Sequence, residues 1–110
     1  MQDRVLSLLG LAARAGKIAA GGFSAEEAVK SRKARLVLIA EDTQSNTVKK
    51  FTDKCAFYKI PLRFYGTKES LGHAVGRESR ACIAVTDSGF ADSILKKMPD
   101  SEQHTEKMIE

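Results

Sequence analysis

The sequence has no long apolar segment. Its longest unbroken apolar runs, residues 36–40 and 81–85, have five residues each, whereas about 20 residues are needed to cross a bilayer. The stretch after Met1 also lacks the continuous apolar core and small-residue cleavage site of a secretory signal peptide. These absences argue against a membrane protein and predict a cytoplasmic location.

Cysteine is scarce and nucleotide fingerprints are missing. The two cysteines, Cys55 and Cys82, form no CxxC pair, and no histidines cluster with them. The chain therefore offers neither a zinc site nor a disulfide framework, and we expect two buried thiols. Neither GxGxxG nor GxxxxGK[ST] occurs, which argues against mononucleotide hydrolysis. We expect no metal and no cofactor.

What is present is the composition of one globular domain with a basic excess. The 110 residues are 43% apolar and 29% charged, which is too apolar for a disordered chain and sufficient for a single core. The net charge is +4, and because the segment from Pro99 holds four acidic residues against one lysine, the first 98 residues carry +7. Such an excess favours a polyanion such as RNA as partner, although lysines that merely solvate the surface also explain it.

Apolar periodicity predicts alternating helices and strands. The runs 36–40 and 81–85 are typical of strands buried on both faces, and five helical segments surround four short strands. This order predicts an α/β fold, a three-layer α/β/α sandwich around a small mixed sheet, over residues 1–98. Residues 99–110 form a polar acidic tail that we expect to be mobile. The predicted helices cover residues 4–15, 24–32, 45–60, 68–72 and 88–98, and the predicted strands cover 18–20, 36–40, 62–65 and 81–85.

Short polar side chains mark the expected helix starts. Ser24 and Glu27 have the spacing of a capping box, in which each side chain bonds the other residue's backbone N–H. The other predicted caps are Ser45 or Asn46 for the third helix, Thr67 for the fourth, and Asp87 or Ser88 for the fifth.

The first candidate site is the segment Gly21–Ser24, between the first strand and the second helix. Glycines let a ligand approach the backbone closely, and the free N–H groups of a helix start attract phosphate. The segment is therefore a candidate binding site for the phosphate backbone of an RNA. The alternative is purely structural: Ser24 and Glu27 cap each other, and Phe23 packs against the next turn as a hydrophobic staple.

The second candidate is the pair Glu41 and Asp42, at the carboxyl end of a buried strand, where open α/β sheets gather ligands. Paired carboxylates there suit a magnesium ion or acid–base catalysis, but such a pair also orients a loop and caps the following helix. His73 has no acid or serine partner nearby in the sequence, and we interpret it as a solvated loop residue.

The third candidate is the segment 71–76, Leu-Gly-His-Ala-Val-Gly, with the residues that follow it. Its two glycines permit a tight turn that brings Arg77, Arg80 and backbone N–H groups to a phosphate or an unpaired base. This segment is a stronger candidate for an RNA-binding site if the fold places its loop beside Gly21.

Three segments together resemble a known family: Gly21 with the helix behind it, residues 36–42 (Leu-Val-Leu-Ile-Ala-Glu-Asp), and residues 71–76. They are similar to the superfamily of kink-turn-binding ribosomal proteins, and within it to the bacterial YlxQ type. The likeness extends over about residues 3–98. It implies an α/β/α sandwich, binding of structured RNA, and a link with the translation and transcription machinery.

In the kink-turn binders a Gly-x-Asn-Glu-x-x-Lys pattern faces the tandem G·A pairs of the bent RNA. If Gly21 stands on the family glycine, Phe23 takes the asparagine position, Ser24 the glutamate position and Glu27 the lysine position. These departures remove the amide and the cation that would read guanine edges. In the second loop Arg77 stands where binders often have a small apolar residue.

The sequence therefore predicts a non-catalytic RNA-binding protein that holds a structured RNA between two loops. The backbone and hydroxyl of Gly21–Ser24 would contact the RNA, Phe23 would stack on a base, and cations would neutralise phosphates. The expected RNA-binding residues are Lys17, Gly21, Gly22, Phe23, Ser24, Lys30, Gly72, Gly76, Arg77 and Arg80. The expected partners are ribosomal or kink-turn-like RNA, and the ribosome or translation and transcription factors.

Two other functions remain open at this point. The first is a protein-interaction module that keeps the fold but has lost RNA readout, with Phe23 as its anchor. The second is a small hydrolase that uses Glu41 and Asp42.

Overall fold

The computed structural model describes residues 3–98, and the acidic segment 99–110 lies outside the described residues. The elements alternate as predicted. The helices are α1 (Arg4–Arg14), α2 (Gly22–Lys30), α3 (Ser45–Tyr58), α4 (Lys68–Ala74) and α5 (Ser88–Lys96). The strands are β1 (Ile18–Ala20), β2 (Leu36–Ile39), β3 (Leu62–Phe64) and β4 (Cys82–Val85). None of the helices in residues 3–98 is long and apolar enough to span a membrane.

The four strands form one mixed sheet in the order β1-β4-β2-β3. Strand β4 lies between β1 and β2 and is antiparallel to both, whereas β2 and β3 are parallel. In register, Ile39 pairs with Cys82 and with Phe64, and Ala20 pairs with Ile83. The ends of β1, β2 and β3 and the start of β4 therefore meet at one end of the sheet.

Strands β2 and β4 are fully buried because helices cover both faces of the sheet. Leu36, Leu38, Ile83 and Val85 point into the core that α1, α4 and α5 cover. Val37, Ile39, Cys82 and Ala84 point to the opposite core, beneath α2 and α3. The predicted three-layer α/β/α sandwich is thereby confirmed.

Both cysteines are buried free thiols, as expected. Cys55 lies on the inner face of α3 and Cys82 begins β4. Burial raises the pKa of each thiol to about 11. They therefore stay neutral near pH 7 and behave as small apolar groups.

Two predicted helix caps were wrong. Helix α2 begins at Gly22, with Gly21 at φ +97° as its cap and no side-chain cap, so Ser24 and Glu27 do not form the predicted capping box. Gly21 turns the chain directly from β1 into α2. It can do so because glycine has no Cβ and adopts a positive φ at little cost. Helix α3 is preceded by Gln44 without a side-chain cap. The predicted caps Thr67 and Asp87 are confirmed by their hydrogen bonds to the backbone.

Helix α4 ends two residues later than predicted. It continues through Ala74, so the exposed His73, interpreted as a loop residue, is helical. Gly72 is buried beneath the following loop: a Cβ at this position would lie 1.8 Å from the carbonyl oxygen of Glu78. Glycine is required here because two stretches of backbone cross in contact.

We predict that Gly72→Ala lowers the free energy of unfolding by about 1–3 kcal/mol, since the added methyl group meets backbone that has no room to move aside. Gly22→Ala is the matched control, because a Cβ on Gly22 would meet nothing within 4 Å. Urea unfolding followed by circular dichroism measures both. Equal unfolding midpoints for the two variants would contradict this explanation of Gly72.

Candidate nucleic-acid interface

One end of the sheet, which we call the Gly21 edge, gathers the first and third candidate segments. It is formed by the loops after β1, β2 and β3 and by the loop before β4. The Gly21 N–H donates to the carbonyl of Cys82 at 2.9 Å, which fixes the turn after β1 beside the start of β4. Segments almost 60 residues apart in the sequence are thereby placed side by side.

The side chain of Arg80 brings the two segments into contact at Gly21. A Cβ on Gly21 would lie 3.6 Å from Arg80 Cδ and 3.7 Å from Arg80 Nε. The arginine side chain therefore crosses directly over the glycine. Its guanidinium is held by a 2.8 Å hydrogen bond from Nη1 to the carbonyl of Ser79.

The start of α2 presents unpaired backbone donors at this edge. No side-chain oxygen caps the helix, and the N–H groups of its first turn have no intrahelical acceptor. The first turn consists of Gly22, Phe23 and Ser24, all exposed. Phe23 is 79% exposed, so the alternative considered for it, packing against the next turn as a hydrophobic staple, is not observed. Free donors, a hydroxyl and an aromatic ring face outward together.

The end of α4 directs the second loop. Gly76, at φ +76°, follows the helix, and the N–H groups of Gly76 and Arg77 bond back to the carbonyls of His73 and Gly72 at 3.1 and 2.8 Å. This pairing is a Schellman motif, in which glycine adopts the left-handed conformation that closes a helix. The motif turns the chain back along α4, from the exposed Arg77 to Arg80 at the Gly21 edge.

Lys68 also lies at this edge, although the sequence pattern does not single it out. Its carbonyl accepts a 2.9 Å hydrogen bond from the N–H of Arg80, so the start of α4 adjoins the arginine loop. The only available signal was its position directly after the predicted cap Thr67.

Two predicted contact residues lie elsewhere. Lys17 precedes β1, and its carbonyl accepts from the N–H of Thr86 at 2.8 Å, which places it at the opposite end of the sheet. Lys30 ends α2, about 12 Å along the helix axis from Gly22 at 1.5 Å per residue. The structure thus brings Gly21, Gly22, Phe23 and Ser24 together with Arg80. Gly76 and Arg77 follow the other end of α4, and neither lysine lies at the Gly21 edge.

The carboxylate pair after β2 has a structural partner. Asp42 Oδ1 accepts the N–H of Lys68 at 2.9 Å, and the N–H of Glu41 donates to the carbonyl of Gly66 at 2.8 Å. Asp42 therefore caps the start of α4. Within residues 3–98, no three His, Cys, Asp or Glu side chains are grouped so as to hold a metal ion.

Comparisons with known proteins identify the family. Residues 3–95 match the model of the ribosomal protein L7Ae/L30e/S12e/Gadd45 family. RNA-binding protein YlxQ of Bacillus subtilis (strain 168) is 44% identical over 88 residues, or 80% of this chain and 88% of that protein. The protein of the same name from Enterococcus faecium is 31% identical over 90 residues, or 82% and 86%.

Two solved structures resemble the chain in fold. A protein of unknown function from Bacillus halodurans superposes with a TM-score of 0.85 at 37% identity, over 89% of this chain and 99% of that chain. A Giardia lamblia 15.5 kDa RNA-binding protein shares the fold, with a TM-score of 0.77 at 22% identity over 94% and 92%.

The fold and the sequence match define the class: the chain belongs to the ribosomal protein L7Ae/L30e/S12e/Gadd45 family. Its likeness to the two YlxQ proteins confirms the resemblance to the YlxQ type. Membership of this family also supports the expectation that the chain is not an enzyme.

We predict that Asp42→Ala lowers the free energy of unfolding by about 1 kcal/mol, because an N–H of the first turn of α4 loses its acceptor. Asp42→Asn should retain most of the stability, since its amide oxygen can also accept. The control is Glu41→Ala, the neighbouring carboxylate. Thermal or urea unfolding measures all three. If Asp42→Ala is no less stable than Glu41→Ala, the capping role is wrong.

Proposed function

We propose that the chain is a non-catalytic, cytoplasmic RNA-binding protein that holds a structured RNA at the Gly21 edge. The observation that carries the proposal is the position of the Arg80 side chain over Gly21, beside the uncapped start of α2. Backbone N–H groups and a guanidinium there face the same space. This combination suits the phosphate groups of a folded RNA.

The printed names of the relatives support RNA as the ligand. The two YlxQ proteins are named RNA-binding proteins, and the family match, over residues 3–95, includes the residues of the Gly21 edge. We further propose that the RNA is kink-turn-like or ribosomal and that the protein acts with the translation machinery. The resemblance noted in the sequence supports these finer assignments.

The residues at the signature positions shape the expected specificity. Phe23 offers a stacking surface in place of an amide, and Ser24 offers a hydroxyl beside the free N–H groups of α2. Glu27 is exposed one turn further along, where it contributes no positive charge. We therefore expect recognition to depend on backbone contacts and shape more than on guanine edges.

We predict that the protein binds a kink-turn RNA at least tenfold more tightly than a matched duplex without the tandem G·A pairs. In the variant with Arg77→Gln and Arg80→Gln, affinity for the kink-turn should fall, and the slope of log K against log salt should shrink by about 2, since each lost phosphate contact removes roughly 0.9. Fluorescence anisotropy over a salt series measures both quantities.

The matched control carries Lys96→Gln and Lys97→Gln, two exposed cations at the end of α5. It removes the same charge from the end of α5 instead of from the arginine loop, and it should keep the wild-type slope. Equal slopes for the two double variants would place the RNA somewhere other than the Gly21 edge.

A second candidate function is a protein-interaction module on the same fold. The 79% exposure of Phe23 favours it, because a large exposed aromatic side chain is a common anchor in protein interfaces. The two functions differ in what Phe23 contacts.

We predict that Phe23→Ala weakens binding of the kink-turn RNA fivefold or more, because loss of a base–aromatic stack costs about 1–3 kcal/mol. Leu11→Ala, at a 48% exposed apolar position on α1, should leave affinity unchanged. An RNA affinity that is insensitive to Phe23, together with a Phe23-dependent partner that survives nuclease treatment of the lysate, would favour the protein-interaction module.

A further inference from the structure

A basic cleft lies at the opposite end of the sheet from Gly21. We call this end the Arg35 edge: β2 and β3 begin there, and β4 ends there. The cleft has a volume of about 230 Å³ and lies between the ends of α2 and α3. Its lining residues are Arg32, Ala34, Arg35, Tyr58, Lys59, Ile60 and Pro61.

Two of the cationic residues of the cleft adopt an unfavourable backbone conformation. Arg32, at φ +64°, and Lys59, at φ +60°, are the two non-glycine residues with positive φ in the described part of the chain. Each closes a helix at a position where glycine is the common residue, and a side chain there costs about 1 kcal/mol. Strained backbone conformations cluster at functional sites, so this cost points to a role for the two side chains.

The positive charge of the cleft has no carboxylate partner among residues 3–98. The ion pairs in that range join Lys49 to Asp53, and Lys50 and Lys54 to Glu26. The guanidinium of Arg32 lies 5.0 Å from the centroid of the Tyr58 ring, a contact that positions the cation without neutralising it. Asp87 is at the same edge, but its Oδ2 accepts the N–H of Phe90 at 3.0 Å.

Helix capping accounts for only part of this cluster. Cations at the ends of α2 and α3 interact favourably with the helix dipoles, which covers Arg32 and Lys59. Arg35 follows no helix end directly; its N–H donates to the carbonyl of Val85 at 2.7 Å, which fixes it at the start of β2. Lys17 shares this edge, so a predicted RNA contact that is remote from Gly21 lies on the same side as the cleft.

An exposed aromatic ring adjoins the cations. Phe57 is 74% exposed, and its ring packs edge-on against Tyr58, with centroids 4.9 Å apart and an interplanar angle of 80°. Proteins bind single-stranded RNA by combining cations along the phosphate backbone with an aromatic ring that stacks on a base.

We propose that the basic cleft binds a single-stranded RNA segment, with Arg32, Arg35 and Lys59 on its phosphates and Phe57 stacked on a base. The protein would then hold two RNA segments at opposite ends of one sheet. The inference rests on the proposed function in taking RNA as the ligand, but it concerns a different surface and different residues.

The test is an anisotropy titration of the full chain with a labelled single-stranded oligouridine of about ten nucleotides, over a salt series. The cleft variant carries Arg32→Gln, Arg35→Gln and Lys59→Gln. Its affinity should fall tenfold or more, and its salt slope should shrink by about 2, at roughly 0.7 per phosphate of a single strand. Phe57→Leu should weaken binding about fivefold with an unchanged slope.

The matched control is Arg4→Gln, Lys96→Gln and Lys97→Gln, three exposed cations on α1 and at the end of α5. It should keep the wild-type slope, and wild-type protein saturated with kink-turn RNA should still bind the oligouridine. Identical slopes for the cleft variant and the control, or no binding of the oligouridine by the wild-type chain, would overturn the inference.

The same variants separate this inference from the proposed function. If the Arg77 and Arg80 variant loses kink-turn binding while the cleft variant behaves as its control, the proposed function holds and the cleft is not an RNA site. If the cleft variant loses oligouridine binding while the Arg77 and Arg80 variant binds the kink-turn normally, the cleft is an RNA site and the Gly21 edge is not.

Discussion

The insertion of β4 between β1 and β2 is the constraint on which the rest of the structure depends. Strand β4, the last strand within residues 3–98, pairs antiparallel with β1 and β2, so its beginning meets their ends. Because β4 is buried on both faces, this pairing is stabilised by both hydrophobic cores. It places the loop that carries Arg80 against the turn at Gly21, and it sends Val85 toward Arg35 at the other end.

The two ends of the sheet are shaped by different backbone features. At the Gly21 edge glycine supplies the room: Arg80 crosses Gly21, and the loop that carries Arg80 crosses Gly72 of α4. At the Arg35 edge, by contrast, Arg32 and Lys59 adopt the left-handed backbone conformation, which glycine would adopt at a lower cost in free energy. The first edge exposes backbone donors, and the second exposes cations.

The regular elements could be predicted because their patterns are local. Alternation between the two cores follows from the period of two in a strand, and helix ends such as Thr67 and Asp87 follow from short-range capping. The start of α2 was missed because glycine at φ +97° began the helix before the Ser24 pattern. The last two residues of α4 were missed because a glycine in the last turn looks like a helix end, whereas Gly72 admits the backbone of Glu78 and the helix continues to Ala74.

The sequence by itself determined the class of fold, the two-sided burial of β2 and β4, and the segments that carry glycines and arginines. All of these follow from the composition and from the spacing of apolar residues along the chain. Only the tertiary structure decided which charges share a surface. Lys17 and Arg80 look equivalent in the sequence, but strand pairing sends them to opposite ends of the sheet. Charge clusters of this kind depend on contacts between residues distant in the chain, which no local pattern records.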